Sequence, residues 1–392
     1  MTHKILIAGA GGIGKATGLI LAEKEDFNCE IFMADRYLDA SKSACQFIDE
    51  GTSGKAKVSG IEIPESGTSD ELEYILKDCD IILDCLPGSQ APRFAAFAKD
   101  FKLHYANLTE YVHETNLVTE IAKESETGFI LQTGLAPGFI NVLAMKLFNE
   151  FTRGYGVDKL DKIEMKVGAL SEHALAPHFY AFTWSPIGVA TEYVKDAVAV
   201  RDYKTNNVPS LSKIKKIIIE GQVYEQNFTS GGAADLPNAL AGRVRDLDYQ
   251  TLRHPGHYNW AKDVIDNTPA DKDKIEHLEK TMLDAIPMVE DDVVIVYATV
   301  IGKDKNGSLR SLEESYDVRP SYVGTKKLRA IQTTTAAPLC EAANMLLTQN
   351  LKGPVFQSSI DPMIFMNGPF VKAIYGGTKH NFPIEKEELE TV

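Results

Sequence analysis

Cysteine is scarce in this 392-residue chain. Its five cysteines, Cys29, Cys45, Cys79, Cys85 and Cys340, form no CxxC pair and no Cys/His ligand spacing. An odd, scattered set reads as the reduced thiols of a cytoplasmic protein and offers neither a disulfide framework nor a structural metal site. Basic residues are also in deficit: Lys and Arg number 41 against 55 Asp and Glu, a formal net charge of −14. Nucleic acid and anionic membrane surfaces both need a basic footprint, so neither is expected as a main partner. No apolar run approaches the roughly 18–20 residues that span a bilayer. Met1-Thr2-His3-Lys4 leads straight into a strand-like run, without the pattern of a cleaved leader. The expectation is a soluble, cytoplasmic protein holding no metal.

What is present is ordinary globular material, 44% hydrophobic and 24% charged, long enough for two or three domains. From residue 4 to about 132, short apolar runs alternate with amphipathic stretches. Ile5–Ala8, Ile31–Ala34, Ile81–Leu83 and Phe129–Leu131 are continuous apolar runs of strand length, as in a parallel sheet covered on both faces. Gly14–Lys24, Ser69–Lys77, Ala91–Asp100 and Glu114–Glu124 read as the intervening helices. That alternation predicts an α/β doubly wound parallel sheet.

Within it, Gly9-Ala10-Gly11-Gly12-Ile13-Gly14 fits G-x-G-x-x-G. The motif follows a buried strand, opens a helix, and precedes a second strand ending in Asp35 at the expected interval of about 20 residues. Such glycines allow a tight turn, backbone approach to a pyrophosphate, and close helix–strand packing, with the helix N-terminus facing the phosphates. Gly9, Gly11, Gly12, Ile13, Gly14 and Asp35 are therefore the candidate cofactor residues of a Rossmann unit. Asp35 suits the ribose hydroxyls of NAD and repels a 2′-phosphate, whereas Arg36 beside it can accommodate NADP. NAD is favoured.

Beyond residue 140 the pattern changes. Lys162–Val167, Lys215–Glu225 and Asp292–Val300 alternate and are rich in β-branched residues, and Asn306-Gly307 predicts a hairpin with a type I′ turn. Asp273–Ala285 and Ala330–Gln349 read as helices, Pro338 marking either a kink or the first turn of the latter. The reading is a Rossmann domain over 1–140, an α+β domain with a mostly antiparallel sheet over 141–325, and a C-terminal segment over 326–392 whose helices return to the first domain.

From Leu86-Pro87 onward the chain resembles a known family. Gly134-Leu135-Ala136-Pro137-Gly138-Phe139-Ile140-Asn141 and Thr251-Leu252-Arg253-His254-Pro255-Gly256-His257 resemble motifs of the saccharopine dehydrogenase-like family. Within it they are similar to the lysine 6-dehydrogenase branch, with Trp184-Ser185, Glu192-Tyr193 and Phe228–Gly232 in the family's order. Ala136 and Ile140-Asn141 replace residues usual in saccharopine reductases, and His254 replaces a Tyr, so the substrate stays open.

The resemblance implies NAD(P)-dependent redox chemistry at a carbon–nitrogen bond of an amino acid, in a homodimer. The alternatives are a carboxynorspermidine-type reductase, or a nucleotide-binding sensor or scaffold without catalysis. Leu86 and Pro87 join the cofactor residues. Arg253 is the candidate ligand for a substrate carboxylate. His257 and His254 bracket a Pro-Gly turn able to aim an imidazole into a cleft. Glu110 follows a parallel strand, as a base or as a helix-start carboxylate. Asn141 faces the ligand or caps a helix. His178 lies in an aromatic stretch that suits core, interface or catalysis.

Overall fold

The computed structural model describes residues 2–54, 56–376 and the backbone of 379–380; the tail from 381 onward, part of the expected C-terminal segment, lies outside them. Short apolar strands alternate with helices in the first third: β1 (His3–Ala8), α1 (Gly12–Glu23), β2 (Cys29–Asp35), α2 (Leu38–Gly51), β3 (Lys57–Glu62), α3 (Asp70–Leu76), β4 (Ile81–Asp84), α4 (Ala91–Asp100), β5 (His104–Asn107), α5 (Val112–Lys123) and β6 (Gly128–Ile130). Successive side chains of β1 serve two different cores, Ile5 and Ile7 one and Leu6 and Ala8 the other. That is why its apolar run is unbroken rather than alternating. The strand order 3-2-1-4-5-6 is that of a dinucleotide-binding sheet, with its crevice beside β1 and β4.

The second unit opens with α6 (Phe139–Tyr155) and β7 (Leu160–Ser171). It continues through α7 (Pro186–Val194), β8 (Ala197–Arg201), β9 (Lys204–Val208), β10 (Lys215–Ile219), β11 (Gln222–Phe228), α8 (Leu236–Ala239), β12 (Val244–Arg253), α9 (His257–Asp266), α10 (Lys274–Ala285), β13 (Asp292–Lys303) and β14 (Leu309–Val318). Its sheet runs β10-β11-β12-β7-β13-β14, with β12 and β7 parallel and the other neighbours antiparallel. One face, carrying Met165, Val167, Val294 and Val296, packs with α6 into the first core. Helices α7, α9 and α10 gather around Tyr180, Phe182, Tyr258 and Met282.

Two sequence expectations are corrected here. The run Lys215–Glu225 is two strands, because Glu220 and Gly221 both take positive φ (51° and 80°) and fold it into a hairpin. The Asn306-Gly307 hairpin exists, but only Gly307 has positive φ (82°). Asp304 instead accepts the N–H groups of Asn306 and Ser308 at 2.9 and 3.0 Å, so a five-residue loop replaces the two-residue type I′ turn.

After a small ribbon, β15 (Ser321–Val323) and β16 (Lys326–Leu328), the chain returns to the first sheet. Helix α11 (Ala330–Thr348) packs on α1, and β17 (Gly353–Val355) joins β6 in parallel as a seventh strand that sequence reading did not foresee. Short helices α12 (Pro362–Asn367) and α13 (Pro369–Tyr375) follow. Asp292 accepts the first N–H groups of α11, from Ala330 and Ile331, at 2.7 and 2.8 Å. The helix continues past Pro338, which sits in its interior and not in its first turn. Proline supplies no N–H to the carbonyl four residues earlier, and that carbonyl, on Thr334, accepts the Tyr375 hydroxyl at 2.8 Å instead.

Tyr375→Phe is expected to cost about 1–3 kcal/mol, the range for orphaning a buried polar group, measured by urea denaturation. In a Pro338→Ala background, where a helical N–H returns, the same change should cost less; an equal cost in both backgrounds would dismiss the compensation.

Candidate active site

The glycine loop follows from close contacts. Gly9 has φ +102°, and a Cβ there would stand 2.8 Å from the Cys85 carbonyl oxygen. A Cβ on Gly14 would meet the Gly9 oxygen at 1.8 Å, which fixes the packing of α1 on β1. A Cβ on Gly11, at the start of α1, would meet nothing within 4 Å. The loop is thus closed where it packs and open where a pyrophosphate would approach, and the residues present fit a dinucleotide.

Asp35, at the end of β2, accepts the Ala10 N–H at 2.9 Å and the Tyr37 N–H at 3.1 Å, so it holds the loop. Arg36 points outward and pairs with Glu65 at 3.1 Å, both side chains more than half exposed. Two residues that sequence reading missed reach the loop from α11. Gln332 donates from Nε2 to the Gly12 carbonyl at 3.1 Å, and Arg329 Nη2 lies 3.7 Å from the position of a Gly12 Cβ. Nothing local to 326–335 signals this; it depends on the chain's return.

From the loop, a cavity of about 390 Å³ runs between the two sheets. Ile13, Leu86 and Pro87 line its cofactor side. The Leu86 turn is held by buried Asp84, which accepts the Leu86 N–H at 3.0 Å and the Tyr105 hydroxyl at 2.7 Å. Burial raises the Asp84 carboxyl to about 6. The far side is charged, with Glu110 after β5, Glu192 on α7 and Arg253 at the end of β12. Arg253 is 1% exposed. Its Nε–H donates to the Tyr193 hydroxyl oxygen at 2.6 Å, its Nη1 to the Leu252 carbonyl at 2.9 Å, and its Nη2 to Glu192 Oε1 at 2.8 Å. Burial and the neighbouring Glu110 charge raise the Glu192 carboxyl to about 7, against the pull of Arg253. Burial raises Glu110 as well, opposed by the Lys195 charge.

The other expected site residues fall behind the cavity wall. His257 is fully buried, and its Nδ1 faces the His178 carbonyl at 3.0 Å. A carbonyl only accepts, so Nδ1 carries the proton and Nε2 accepts the Tyr193 hydroxyl at 3.0 Å. Burial and Arg253 depress the ring to about 3, which keeps it neutral. It therefore fixes Tyr193 and Arg253 and does not reach the cavity. His254 follows Arg253 on a strand end and points to the opposite face, bonded to the Ser171 carbonyl at 3.0 Å. His178 packs against Trp260 with the rings tilted by 40° and their centres 4.5 Å apart, also outside the cavity lining. Asn141 takes the capping role, accepting the Gly138 N–H at 2.7 Å and donating to the Gly232 carbonyl at 3.0 Å. Glu192 was visible in sequence only as part of a motif's order. The better signal was its place as the sole charge in the apolar helix Pro186–Val194.

No group of three or more His, Cys, Asp or Glu among the described residues could hold a metal ion, and no helix there is long and apolar enough to cross a membrane. A glycine loop beside a cavity with partly buried acids and a buried guanidinium defines a two-domain, dinucleotide-binding protein. Comparison with known proteins narrows this. Residues 5–132 match the saccharopine dehydrogenase NADP binding domain, and 134–372 the saccharopine dehydrogenase C-terminal domain. The chain belongs to the saccharopine dehydrogenase family.

An Arabidopsis thaliana alpha-aminoadipic semialdehyde synthase is 26% identical over 210 residues, 48% of this chain; the match covers 19% of that relative's length. Saccharopine dehydrogenase (L-Glu forming) from Saccharomyces cerevisiae shares the fold, with a TM-score of 0.70 and 15% identity over 95% of this chain and 98% of that one. So does the homospermidine synthase from Legionella pneumophila in complex with NAD, at 0.68 and 12% over 100% and 95%.

Because nothing crowds a Cβ on Gly11, Gly11→Val should leave the melting temperature within a few degrees of the parent while abolishing NADH binding in calorimetric titration. Retained affinity would refute the placement of the pyrophosphate on this loop.

Proposed function

We propose that this protein is an NAD(P)-dependent dehydrogenase acting on a CH–NH group of an amino acid, as in lysine 6-dehydrogenases, with NAD preferred. The observation that carries the reading is the cavity itself, which runs from Ile13 of the glycine loop at one end to the partly buried Glu110 and Glu192 and the buried Arg253 at the other. When bound, the nicotinamide supplies a two-electron hydride acceptor. The chain's residues must then handle a proton and hold the substrate. An amine loses hydride readily only when neutral, yet its ordinary pKa is about 10.4. A buried carboxylate poised near neutrality suits the removal of that proton, and Glu192 has that environment. Arg253 uses three of its five N–H donors internally, leaving two for a substrate group.

Asp35 supports the cofactor preference, because a carboxylate at the end of the second strand of such a unit repels a 2′-phosphate. Arg36 is already engaged with Glu65, although the matching family domain is described as NADP binding. Steady-state kcat/KM with NAD+ should exceed that with NADP+ by about tenfold or more, and Asp35→Ser should narrow the ratio. The ratio is the proper readout, since the same change also loosens the loop through Ala10. A native preference for NADP+ would assign the choice to Arg36. An amine panel assayed with both cofactors, following reduced-nicotinamide absorbance, tests the activity; no turnover with any amine would favour a sensor.

The acid–base assignment has a signed pH dependence. Glu192 must be ionised to accept a proton, so kcat should rise with pH through an inflection near 7. Glu192→Gln should remove that inflection and lower kcat by about 100- to 10,000-fold. An unchanged inflection in that variant would give the proton to another group.

A further inference from the structure

The family's name points to an adduct rich in carboxylates, but the charges in this cavity do not. Among the described residues, three charged side chains line it: Glu110, Glu192 and Arg253. The guanidinium is already neutralised by Glu192 at 2.8 Å. Glu110 is the acid left over. Lys195 influences it from outside the cavity lining, where its ammonium lies 5.5 Å from the Tyr111 ring centre. Of the other guanidiniums, Arg329 stands at the glycine loop on the cofactor side, and Arg319 belongs to a separate cavity across the sheet, bound to Asp317 at 2.9 Å and Glu172 at 3.0 Å. The lining also includes the apolar side chains of Val167, Trp184 and Ile187, which suit a methylene chain.

Resting on the dehydrogenase reading above, we propose that Glu110 is a cation subsite and that the cavity selects its substrate by ammonium charge. The ligand class is a chain with at least one ammonium group and no more than one carboxylate, so a carboxylate-free diamine qualifies. An ammonium beside Glu110 gains a charge-assisted hydrogen bond in a poorly solvated site. A single carboxylate finds the two spare N–H groups of Arg253. A second carboxylate finds no further cation among the described lining residues and faces two acids, an arrangement that buried sites penalise strongly.

Four probes separate the outcomes: lysine, 1,5-diaminopentane, 2-aminoadipate and saccharopine, each titrated calorimetrically into the full chain saturated with NADH, and each assayed for turnover. Lysine and the diamine should bind within about tenfold of each other, and the two polycarboxylates on the order of 100-fold more weakly. Glu110→Gln should weaken the two cations at least tenfold and leave NADH affinity unchanged, with partial recovery in Glu110→Asp. Tightest binding by saccharopine, or unchanged amine affinity in Glu110→Gln, would overturn the subsite. If saccharopine is also turned over, the dehydrogenase reading survives alone. Cation-selective binding without turnover of any amine would keep the subsite and sink the dehydrogenase reading, and no binding by any probe would sink both.

Discussion

A guanidinium sealed from solvent is the constraint around which the second unit is arranged. Arg253 cannot shed its charge, so burial obliges the surrounding chain to supply acceptors. β12 delivers it to the cavity, α7 brings Glu192 and Tyr193 on adjacent positions, and the start of α9 brings His257 to accept from Tyr193. Rings of Tyr180 and Tyr193 lie 5.0 and 5.4 Å from the guanidinium carbon and add cation–π attraction. Deleting one partner of such a buried pair typically costs about 3–5 kcal/mol, so the chemistry of the cavity and the packing of α7, α9 and α10 are one problem. His257 shows the consequence: it is kept neutral for its hydrogen bonds and has no exposed nitrogen to offer a substrate.

A second constraint is the return of the chain. The glycine loop belongs to the first unit, yet Gln332 and Arg329 reach it from the start of α11, and Asp292 in the second sheet fixes where α11 begins. One continuous core includes α1, α6, α11 and the inner face of the second sheet. The cofactor crevice and the charged cavity are thereby held by shared packing, which suits a reaction that needs two ligands within bonding distance.

Much of the first unit was legible because buried parallel strands leave unbroken apolar runs, and because the glycine loop is a local device with fixed spacing to Asp35. The seventh strand, Gly353–Val355, was not legible as one: its three residues, one a proline, carry no strand period and pair only through the return of the chain. In the site, Arg253 was readable from its motif and Glu110 from its place after a parallel strand, and both line the cavity. Face assignment was harder. His254 and Arg253 are consecutive on a strand end, so one enters the cavity and the other leaves it. Glu192 hides in an apolar helix, where composition reports core and only tertiary structure shows that its carboxylate meets Arg253.

In the proposed reaction, hydride passes between the carbon bearing a substrate nitrogen and a nicotinamide seated on the glycine loop. Perdeuterated lysine and perdeuterated 1,5-diaminopentane, incubated with the protein and NAD+ or NADP+, test this by mass spectrometry and NMR of the reduced cofactor. The account expects one deuterium at nicotinamide C4 and an aldehyde or cyclic imine from the amine. Binding of both ligands with no deuterium in the cofactor would contradict it.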